Sequence, residues 1–210
     1  MKQLVIIGAG GMGRSIYSIA KNDVGYQRDF EIKGFIDDNA HALDGFEGYP
    51  TFLGSIQDYQ IEQEDVFVCS IGDVRTKKKV CDYLASKGAV FQTLIHHTAI
   101  VYDGARIGSG CVISEYASIG ADCMIGENTL IQSFAIVGHD CRIGNYVRID
   151  THVTCVGGIE VKDGATIHTS SVINHNVVVG EGATVGALSF VIRKVKPYTT
   201  VWGNPAKLLV

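Results

Sequence analysis

The feature that most constrains the fold of this chain is a six-residue repeat through its second half. Aliphatic residues, with one cysteine, recur in one column: Val101, Ile107, Ile113, Ile119, Ile125, Ile131, Val137, Ile143, Ile149, Cys155, Val161, Ile167, Ile173, Val179, Val185 and Val191. A second column, of small or β-branched residues, runs from Ala105 to Val195 with the same spacing. Helices repeat every 3.6 residues and flat strands every two, so neither explains strict sixes. The repeat predicts a hexapeptide β-helix in which three repeats form one triangular coil.

Glycine follows the aliphatic residue in many of the repeats. The positions are Gly108, Gly120, Gly126, Gly138, Gly144, Gly180 and Gly186. A coil of three short strands needs a sharp corner after each strand. Because glycine tolerates backbone angles that other residues avoid, we expect these glycines to adopt unusual φ and ψ angles at the corners.

Charge and composition exclude several classes of partner. The 18 basic and 22 acidic residues give a net charge of −4, with no Lys/Arg tract, which argues against nucleic acid as the main partner. The apolar run at residues 4–7 is too short for a signal peptide or a membrane span, so we expect a cytoplasmic protein without membrane insertion. Cys111, Cys123 and Cys141 fall in the small-residue column and Cys155 in the aliphatic column. We therefore expect these four to be buried, without metal or disulfide chemistry.

The first hundred residues have a different pattern. A β run at residues 3–7 leads into Gly8, Gly10 and Gly13, spaced as G-x-G-x-x-G, and residues 14–21 read as a helix. In this context glycines let the backbone approach a phosphate at the helix start. A second strand, residues 31–36, ends at Asp37-Asp38, where an acidic residue would meet a ribose hydroxyl. Strands at 66–71 and 91–95 bracket a helix at 75–87, which completes a small α/β sheet.

Two other interpretations of the glycine motif remain open at this point. A nicotinamide-dependent dehydrogenase is one, but about 95 residues precede the repeats, too few for two mononucleotide halves and a substrate domain. The other is that the glycines only allow the helix to pack against the strand. The acidic pair and the turn Ser70-Ile71-Gly72-Asp73 at another strand end favour a nucleotide crevice.

Histidine supplies the candidate chemistry of the repeats. Residues eighteen apart stack in successive coils, so His139, Gly157 and His175 share one column. His139 follows a corner glycine and precedes Asp140, so we expect it to face outward toward a substrate or a partner subunit. Two coils separate His139 from His175 by roughly 10 Å, too far for one zinc ion. We therefore expect no metal, and the metal-dependent carbonic anhydrases built on this coil remain an alternative that would need ligands from a neighbouring subunit.

The whole chain resembles the bacterial nucleotide-sugar acetyltransferases of the sialic-acid O-acetyltransferase and bacillosamine or perosamine N-acetyltransferase type. The motifs that carry the resemblance are Gly8-Ala9-Gly10-Gly11-Met12-Gly13-Arg14, Phe35-Ile36-Asp37-Asp38-Asn39, Ser70-Ile71-Gly72, Leu94-Ile95-His96, Gly138-His139-Asp140-Cys141 and Trp202-Gly203-Asn204-Pro205-Ala206-Lys207. The resemblance implies a Rossmann-like nucleotide-sugar-binding domain at residues 1–97. It also implies a left-handed parallel β-helix at residues 98–210 that binds acetyl-CoA between the subunits of a homotrimer.

The resemblance also implies roles for individual residues. His139 corresponds to the general base and Asp140 to the neighbouring acid. The candidate contacts of the nucleotide sugar are Gly8, Gly10, Gly11, Gly13, Arg14, Asp37, Asp38, Gly72 and Arg148, the last in place of a second histidine found in some relatives. From the residues themselves we expect the pantetheine arm of acetyl-CoA to lie past Gly157, whose N–H is a candidate donor to the oxyanion, and past the Gly186-Ala187 corner. We expect the CoA phosphates to meet the basic cluster Arg193, Lys194, Lys196 and Lys207.

The expected reaction is acetyl transfer to an amino or hydroxyl group of a nucleotide-activated sugar, in surface polysaccharide or glycan synthesis. One alternative is a catalytically silent nucleotide-sugar-binding β-helix, which would not require a His-Asp corner beside a basic tail. Another is acetylation of a free small molecule such as serine, which would have no nucleotide for the N-terminal domain to hold.

Overall fold

The structure, a computed structural model, describes residues 1–209 and divides into two compact units, Met1–His97 and Thr98–Val210. The N-terminal unit is an α/β fold. Its elements are β1 (Lys2–Ile7), α1 (Gly11–Lys21), β2 (Phe30–Ile36), β3 (Phe52–Gly54), β4 (Asp65–Cys69), α2 (Val74–Ser86) and β5 (Leu94–Ile95). Strands β1 to β4 form a parallel sheet in the order β3-β2-β1-β4. Residues 4–7 of β1 are fully buried at its centre, as expected where a parallel sheet is covered on both faces.

The predicted elements of this unit are present, with several differences. Only Leu94–Ile95 of the strand predicted at 91–95 is a strand, and it does not belong to the four-stranded sheet. Helix α1 begins at Gly11, inside the glycine motif, rather than after it. Strand β4 ends at Cys69, because Ser70 already turns its side chain back onto β1. Strand β3 has only three residues, all half-buried, and was not predicted because so short a segment has no recognisable strand pattern.

The second unit is a parallel β-solenoid, which confirms the hexapeptide β-helix. Its two-residue strands are β6 (Ile100–Val101), β7 (Arg106–Ile107), β8 (Val112–Ile113), β9 (Ser118–Ile119), β10 (Met124–Ile125), β11 (Leu130–Ile131), β12 (Ile136–Val137), β13 (Arg142–Ile143), β14 (Arg148–Ile149), β15 (Thr154–Cys155), β16 (Glu160–Val161), β17 (Thr166–Ile167), β18 (Val172–Ile173), β19 (Val178–Val179), β20 (Thr184–Val185) and β21 (Phe190–Val191). Strands β22 (Thr200–Trp202) and β23 (Lys207–Leu208) follow as an antiparallel pair.

The strands stack into three faces. Face 1 contains β7, β10, β13, β16 and β19; face 2 contains β8, β11, β14, β17, β20 and β22; and face 3 contains β6, β9, β12, β15, β18 and β21. From β6 to β21 each strand residue pairs with one eighteen positions away, as Ile131 does with Ile149, whereas β20 pairs with β22 at a spacing of sixteen. From Ile113 onward the aliphatic column and the four repeat cysteines point into the core, whereas Val101 in the first coil is exposed; all six cysteines of the chain are buried and free. Their expected burial is confirmed.

The explanation predicted for the corner glycines is wrong. The left-handed conformation falls two residues later in the repeat, at residues such as Asn128, Asp140 and Asn176, with φ between 54° and 58°. The glycines are needed because successive coils approach closely: a Cβ on Gly120 would lie 2.6 Å from the carbonyl carbon of Gly138. Steric contact between coils, and not backbone angle, therefore selects glycine there.

Two corners of the solenoid are used below. The His139 edge joins face 3 to face 1 and includes residues 138–141, 156–159, 174–177 and 192–195. The Asp150 edge joins face 2 to face 3 and includes residues 132–135, 150–153, 168–171 and 186–189. Within residues 1–209, neither helix has the length and apolar character needed to cross a bilayer.

Candidate active site

The glycine turn of the N-terminal unit connects β1 to α1. Gly8 has φ +95°, and a Cβ there would lie 2.6 Å from the Ser70 hydroxyl oxygen. A Cβ on Gly13 would lie 2.1 Å from the Gly8 carbonyl oxygen, so Gly13 allows the helix to pack against the strand. Around Gly10, by contrast, no atom lies within 4 Å of the position a Cβ would take. The packing and ligand-approach interpretations therefore apply to different glycines of the same motif.

The start of α1 is built to receive an anion. Gly10 is the N-cap, no side chain caps the helix, and its first turn has no acidic residue. The first-turn N–H groups have no partner within a helix, and they carry the positive end of the helix dipole. Gly11 is open as well, since the nearest atom to its Cβ position is Arg14 Nη2 at 3.9 Å. Open N–H groups at the start of a helix are the kind of position at which proteins bind phosphate, so the phosphate site stays a prediction with this geometry behind it.

The acidic pair after β2 is used differently from the simple expectation. Asp37 accepts hydrogen bonds from the backbone N–H of Ala9 through Oδ2, at 2.7 Å, and from that of Asn39 through Oδ1, at 2.8 Å. Its carboxylate therefore fixes the glycine turn. Asp38 is exposed, and within residues 1–209 only its Oδ1 accepts a hydrogen bond, from the Ile56 N–H at 3.0 Å. Of the two, Asp38 retains an oxygen for a ribose hydroxyl.

The loop after β4 is tied to the glycine turn. The Ser70 hydroxyl contacts the carbonyl oxygens of Ile7 at 2.7 Å and Gly8 at 2.9 Å. Three residues later the Asp73 side chain caps α2 by accepting from the Thr76 N–H at 2.8 Å, and hydrogen bonds from the Thr76 side chain and then its backbone lower the pKa of the Asp73 carboxyl. Gly72 lies between these two anchors. The structure thus brings the predicted Gly72 loop to the same side of the sheet as the glycine turn.

In the solenoid, His139 and Asp140 form a pair on the His139 edge. Imidazole Nδ1 lies 2.6 Å from Asp140 Oδ2, and the two side chains are 63% and 65% exposed. A carboxylate at Nδ1 holds the proton there, which leaves Nε2 as an acceptor. The left-handed conformation of Asp140, with φ 58°, accompanies this contact between adjacent residues. The pair has the geometry of an oriented general base.

Gly157 lies directly against His139, one coil further along the same edge. A Cβ on Gly157 would lie 2.5 Å from His139 Nε2 and 2.7 Å from Cε1. Glycine is therefore required if the imidazole is to lie over the next coil. Within residues 1–209, the Gly157 N–H donates no hydrogen bond. The predicted acetyl-CoA contact and the predicted base are thus neighbours.

Sequence reasoning missed a second histidine-carboxylate cluster, on the Asp150 edge. Asp150 accepts from Arg148 Nε at 2.6 Å and from Gln132 Nε2 at 2.9 Å, and its other oxygen lies 2.9 Å from His168 Nδ1. The Asp150 side chain is only 6% exposed. The eighteen-residue column Gln132, Asp150, His168 was the available signal, because polar residues at one corner position must stack.

Arg148 therefore has a partner in its own chain. It lies on face 2, whereas His139 lies at the junction of faces 3 and 1, so the structure does not bring them together within one chain. Gly186 and Ala187 lie on the Asp150 edge, and a Cβ on Gly186 would lie 2.8 Å from Trp202 Cδ1. These three predicted contacts are thus on a different side of the solenoid from Gly157.

The predicted basic residues lie near the C-terminal end of the coil. Arg193, Lys194 and Lys196 are exposed and line one groove, together with Val191, Val195, Thr199, Val201, Ala206 and Leu208. Lys207, on β23, borders a second pocket beside Trp202. Within residues 1–209, no group of three or more His, Cys, Asp and Glu side chains is arranged to hold a metal ion.

Two family models and a curated relative match the chain. The PglD N-terminal domain matches residues 3–84, and the bacterial transferase hexapeptide (six repeats) matches residues 122–157. The chain is 29% identical to the GDP-perosamine N-acetyltransferase of Escherichia coli O157:H7, over 96% of its own length and 94% of that protein.

Two solved structures extend the similarity over the full length. The acetyltransferase domain of PglB from Neisseria gonorrhoeae FA1090, in complex with acetyl coenzyme A, has a TM-score of 0.90 and 27% identity over 99% of each chain. PerB from Caulobacter crescentus, in complex with CoA and GDP-perosamine, has a TM-score of 0.88 and 25% identity over 100% of this chain and 98% of that one. The chain therefore carries a PglD N-terminal domain and transferase hexapeptide repeats, and over its full length it is similar, as its motifs predict, to the bacterial nucleotide-sugar acetyltransferases.

Proposed function

We propose that this protein transfers the acetyl group of acetyl-CoA to an amino or hydroxyl group of a nucleotide-activated sugar. The observation that carries the proposal is the His139–Asp140 pair, whose acceptor nitrogen lies against Gly157. Full-length similarity to a GDP-perosamine N-acetyltransferase favours the amine as acceptor and GDP as the nucleotide. The proposed reaction is a step in the synthesis of a surface polysaccharide or glycan.

In the proposed mechanism His139 is the general base. Its Nε2 removes a proton from the sugar amine while the amine nitrogen attacks the thioester carbonyl carbon. The tetrahedral intermediate then collapses, the C–S bond breaks, and the CoA sulfur takes the proton from the imidazolium. Asp140 holds the imidazole in one tautomer and stabilises its charged form. The Gly157 N–H is the donor proposed for the developing oxyanion.

The proposed active assembly is a homotrimer with acetyl-CoA bound between subunits. Apolar side chains such as Ile100 and Ile136 are exposed on face 3, which favours association. Gly157 and Gly186-Ala187 lie on different edges, so a pantetheine arm that contacts all three needs edges from two subunits. The same arrangement would let Arg148 of one subunit approach the sugar bound at His139 of another. The groove at Arg193, Lys194 and Lys196 is the proposed contact of the CoA phosphates, with Lys207 nearby.

The test is a comparison of acceptors at fixed acetyl-CoA. Release of free CoA thiol is measured with GDP-perosamine, a UDP-4-amino-4,6-dideoxy sugar, CMP-sialic acid and serine. We expect turnover with a nucleotide sugar and none with serine, together with a rise in the unfolding temperature for that sugar. Binding of a nucleotide sugar without any CoA release would instead support the catalytically silent protein.

A cytoplasmic location is proposed because acetyl-CoA is the cosubstrate.

A further inference from the structure

An exposed aromatic side chain lies beneath the arginine of the glycine motif. The Arg14 guanidinium carbon lies 3.6 Å from the centre of the Phe46 ring. Phe46 is nevertheless 48% exposed, although a large apolar side chain is normally buried. It belongs to the segment after β2 that no motif of the sequence singled out. The Phe46 ring therefore contacts Arg14, a residue that the sequence predicts to bind the nucleotide sugar.

The fold fixes the position of Phe46 from both ends of this segment. At its start, Asp37 accepts from the N–H groups of Ala9 and Asn39. At its end, Tyr49 packs on Tyr17, with ring centres 5.4 Å apart. Tyr17 and Arg14 are three residues apart on α1, so they share one face of the helix. The segment therefore lies along that face and carries Phe46 to the guanidinium.

Arg14 is positioned for a ligand rather than for the protein. Within residues 1–209 it forms no ion pair, and its one hydrogen bond, from Nη1 to the Ala9 carbonyl oxygen, is long at 3.5 Å. Its Nη2 lies 3.9 Å from the Cβ position of Gly11, beside the uncapped start of α1. An unpaired guanidinium thus lies where a phosphate would approach the helix.

The geometry points to Phe46 as a positioning residue: it holds the Arg14 guanidinium over the glycine turn so that Arg14 can grip the diphosphate of the nucleotide sugar. The inference rests on the proposed function. Stacking on an aromatic ring uses the face of the guanidinium and leaves its N–H edge free for two hydrogen bonds to phosphate. It also restrains a long side chain before the ligand binds, which lowers the entropy lost on binding.

The test separates the aromatic face from simple apolar bulk. Dissociation constants for GDP, UDP and CMP are measured by calorimetry for the wild type, Phe46→Leu, Phe46→Trp, Arg14→Ala and the Arg14→Ala/Phe46→Leu double variant. For the nucleotide that binds, we expect Phe46→Leu to weaken binding about 3- to 10-fold. Phe46→Trp keeps a ring face and stays within about twofold of the wild type. In the Arg14→Ala background, Phe46→Leu has no further effect, because Phe46 acts through Arg14.

Controls separate this role from a structural one. CoA affinity and the unfolding temperature remain unchanged in Phe46→Leu, because the side chain is half exposed. The inference is overturned by wild-type affinity in Phe46→Leu, by equal losses in Phe46→Leu and Phe46→Trp, or by a further loss in the double variant. A wild type that binds none of the three nucleotides overturns this inference and the proposed function together. Nucleotide binding that depends on Phe46, without acetyl transfer to any sugar, overturns the proposed function alone.

Discussion

The solenoid contains two histidine-aspartate pairs with the same Nδ1-to-carboxylate contact and opposite surroundings. In the first, His139 and Asp140 are adjacent in the chain, and both are more than half exposed. In the second, His168 and Asp150 lie one coil apart, and Asp150 is almost completely buried. Asp150 also accepts from Arg148 and Gln132, whereas His139 is the one side-chain partner observed for Asp140 within residues 1–209.

The difference teaches which pair can do chemistry. A carboxylate held by three donors is committed to the protein, and burying it is tolerable only because each partner remains in place. An exposed carboxylate with one partner orients that partner while costing little in desolvation. Gly157 completes the contrast, because its missing Cβ leaves room for His139 over the next coil. We therefore assign catalysis to the exposed pair and stability to the buried one.

The largest effect that tests this assignment is the loss of the base. We expect His139→Ala to lower kcat/KM for acetyl transfer by at least about 100-fold, because general-base catalysis contributes on the order of 10²–10⁴. The matched variant, His168→Ala, should lower it less than about threefold. Steady-state release of CoA thiol measures both. Comparable losses in the two variants would break the comparison.

The next effect concerns the position of the imidazole. Gly157→Ala places a methyl group about 2.5 Å from His139 Nε2, so the ring must move. We expect kcat/KM to fall about 10- to 100-fold, since a displacement near 1 Å can cost on the order of 10² in rate. In the His139→Ala background the same substitution should have almost no effect on the residual rate. A further large loss there would show that Gly157 acts independently of the base.

The buried pair is tested by stability. Asp150→Asn removes the charge that balances Arg148 and an acceptor of His168, and we expect it to lower the free energy of unfolding by about 1–3 kcal/mol. Asp140→Asn, at an exposed pair, should change it by less than about 1 kcal/mol. Urea unfolding at equal protein concentration gives both values. An unchanged unfolding free energy in Asp150→Asn would mean that the network contributes no net stability.

The smallest expected effect is that of a chelator. Among residues 1–209 no further His, Cys, Asp or Glu side chain joins either pair as a third metal ligand, and the histidine that shares the column of His139 lies two coils away. We expect treatment with EDTA to leave kcat unchanged, because the proposed mechanism moves a proton and an acetyl group without a Lewis acid. Loss of activity on chelation, restored by added zinc, would favour a metalloenzyme on the same coil.

Much of the N-terminal unit was predictable, and its local details were not. The glycine motif marks the turn between β1 and α1 because its spacing belongs to one local geometry. Its glycines serve different purposes, however. A Cβ on Gly13 would clash with the Gly8 carbonyl oxygen, whereas the Cβ position of Gly10 faces open space. The sequence assigned a ribose hydroxyl to the pair Asp37-Asp38 without distinguishing the two, and only the structure shows that both oxygens of Asp37 accept from backbone N–H groups. Only the folded conformation of such a short loop decides which side chain accepts from its backbone N–H groups and which keeps an oxygen for a ligand.

By itself the sequence determined the hexapeptide coil, the α/β unit before it and the column that joins His139 to Gly157. Each follows from a strict spacing that repeats in a regular structure. Only the tertiary structure decided the contact of Arg148 with Asp150, the separation of Gly157 from Gly186 on two edges, and the stacking of Arg14 on Phe46. A spacing states which residues share a column, whereas the packing of neighbouring coils and loops decides which side-chain atoms touch.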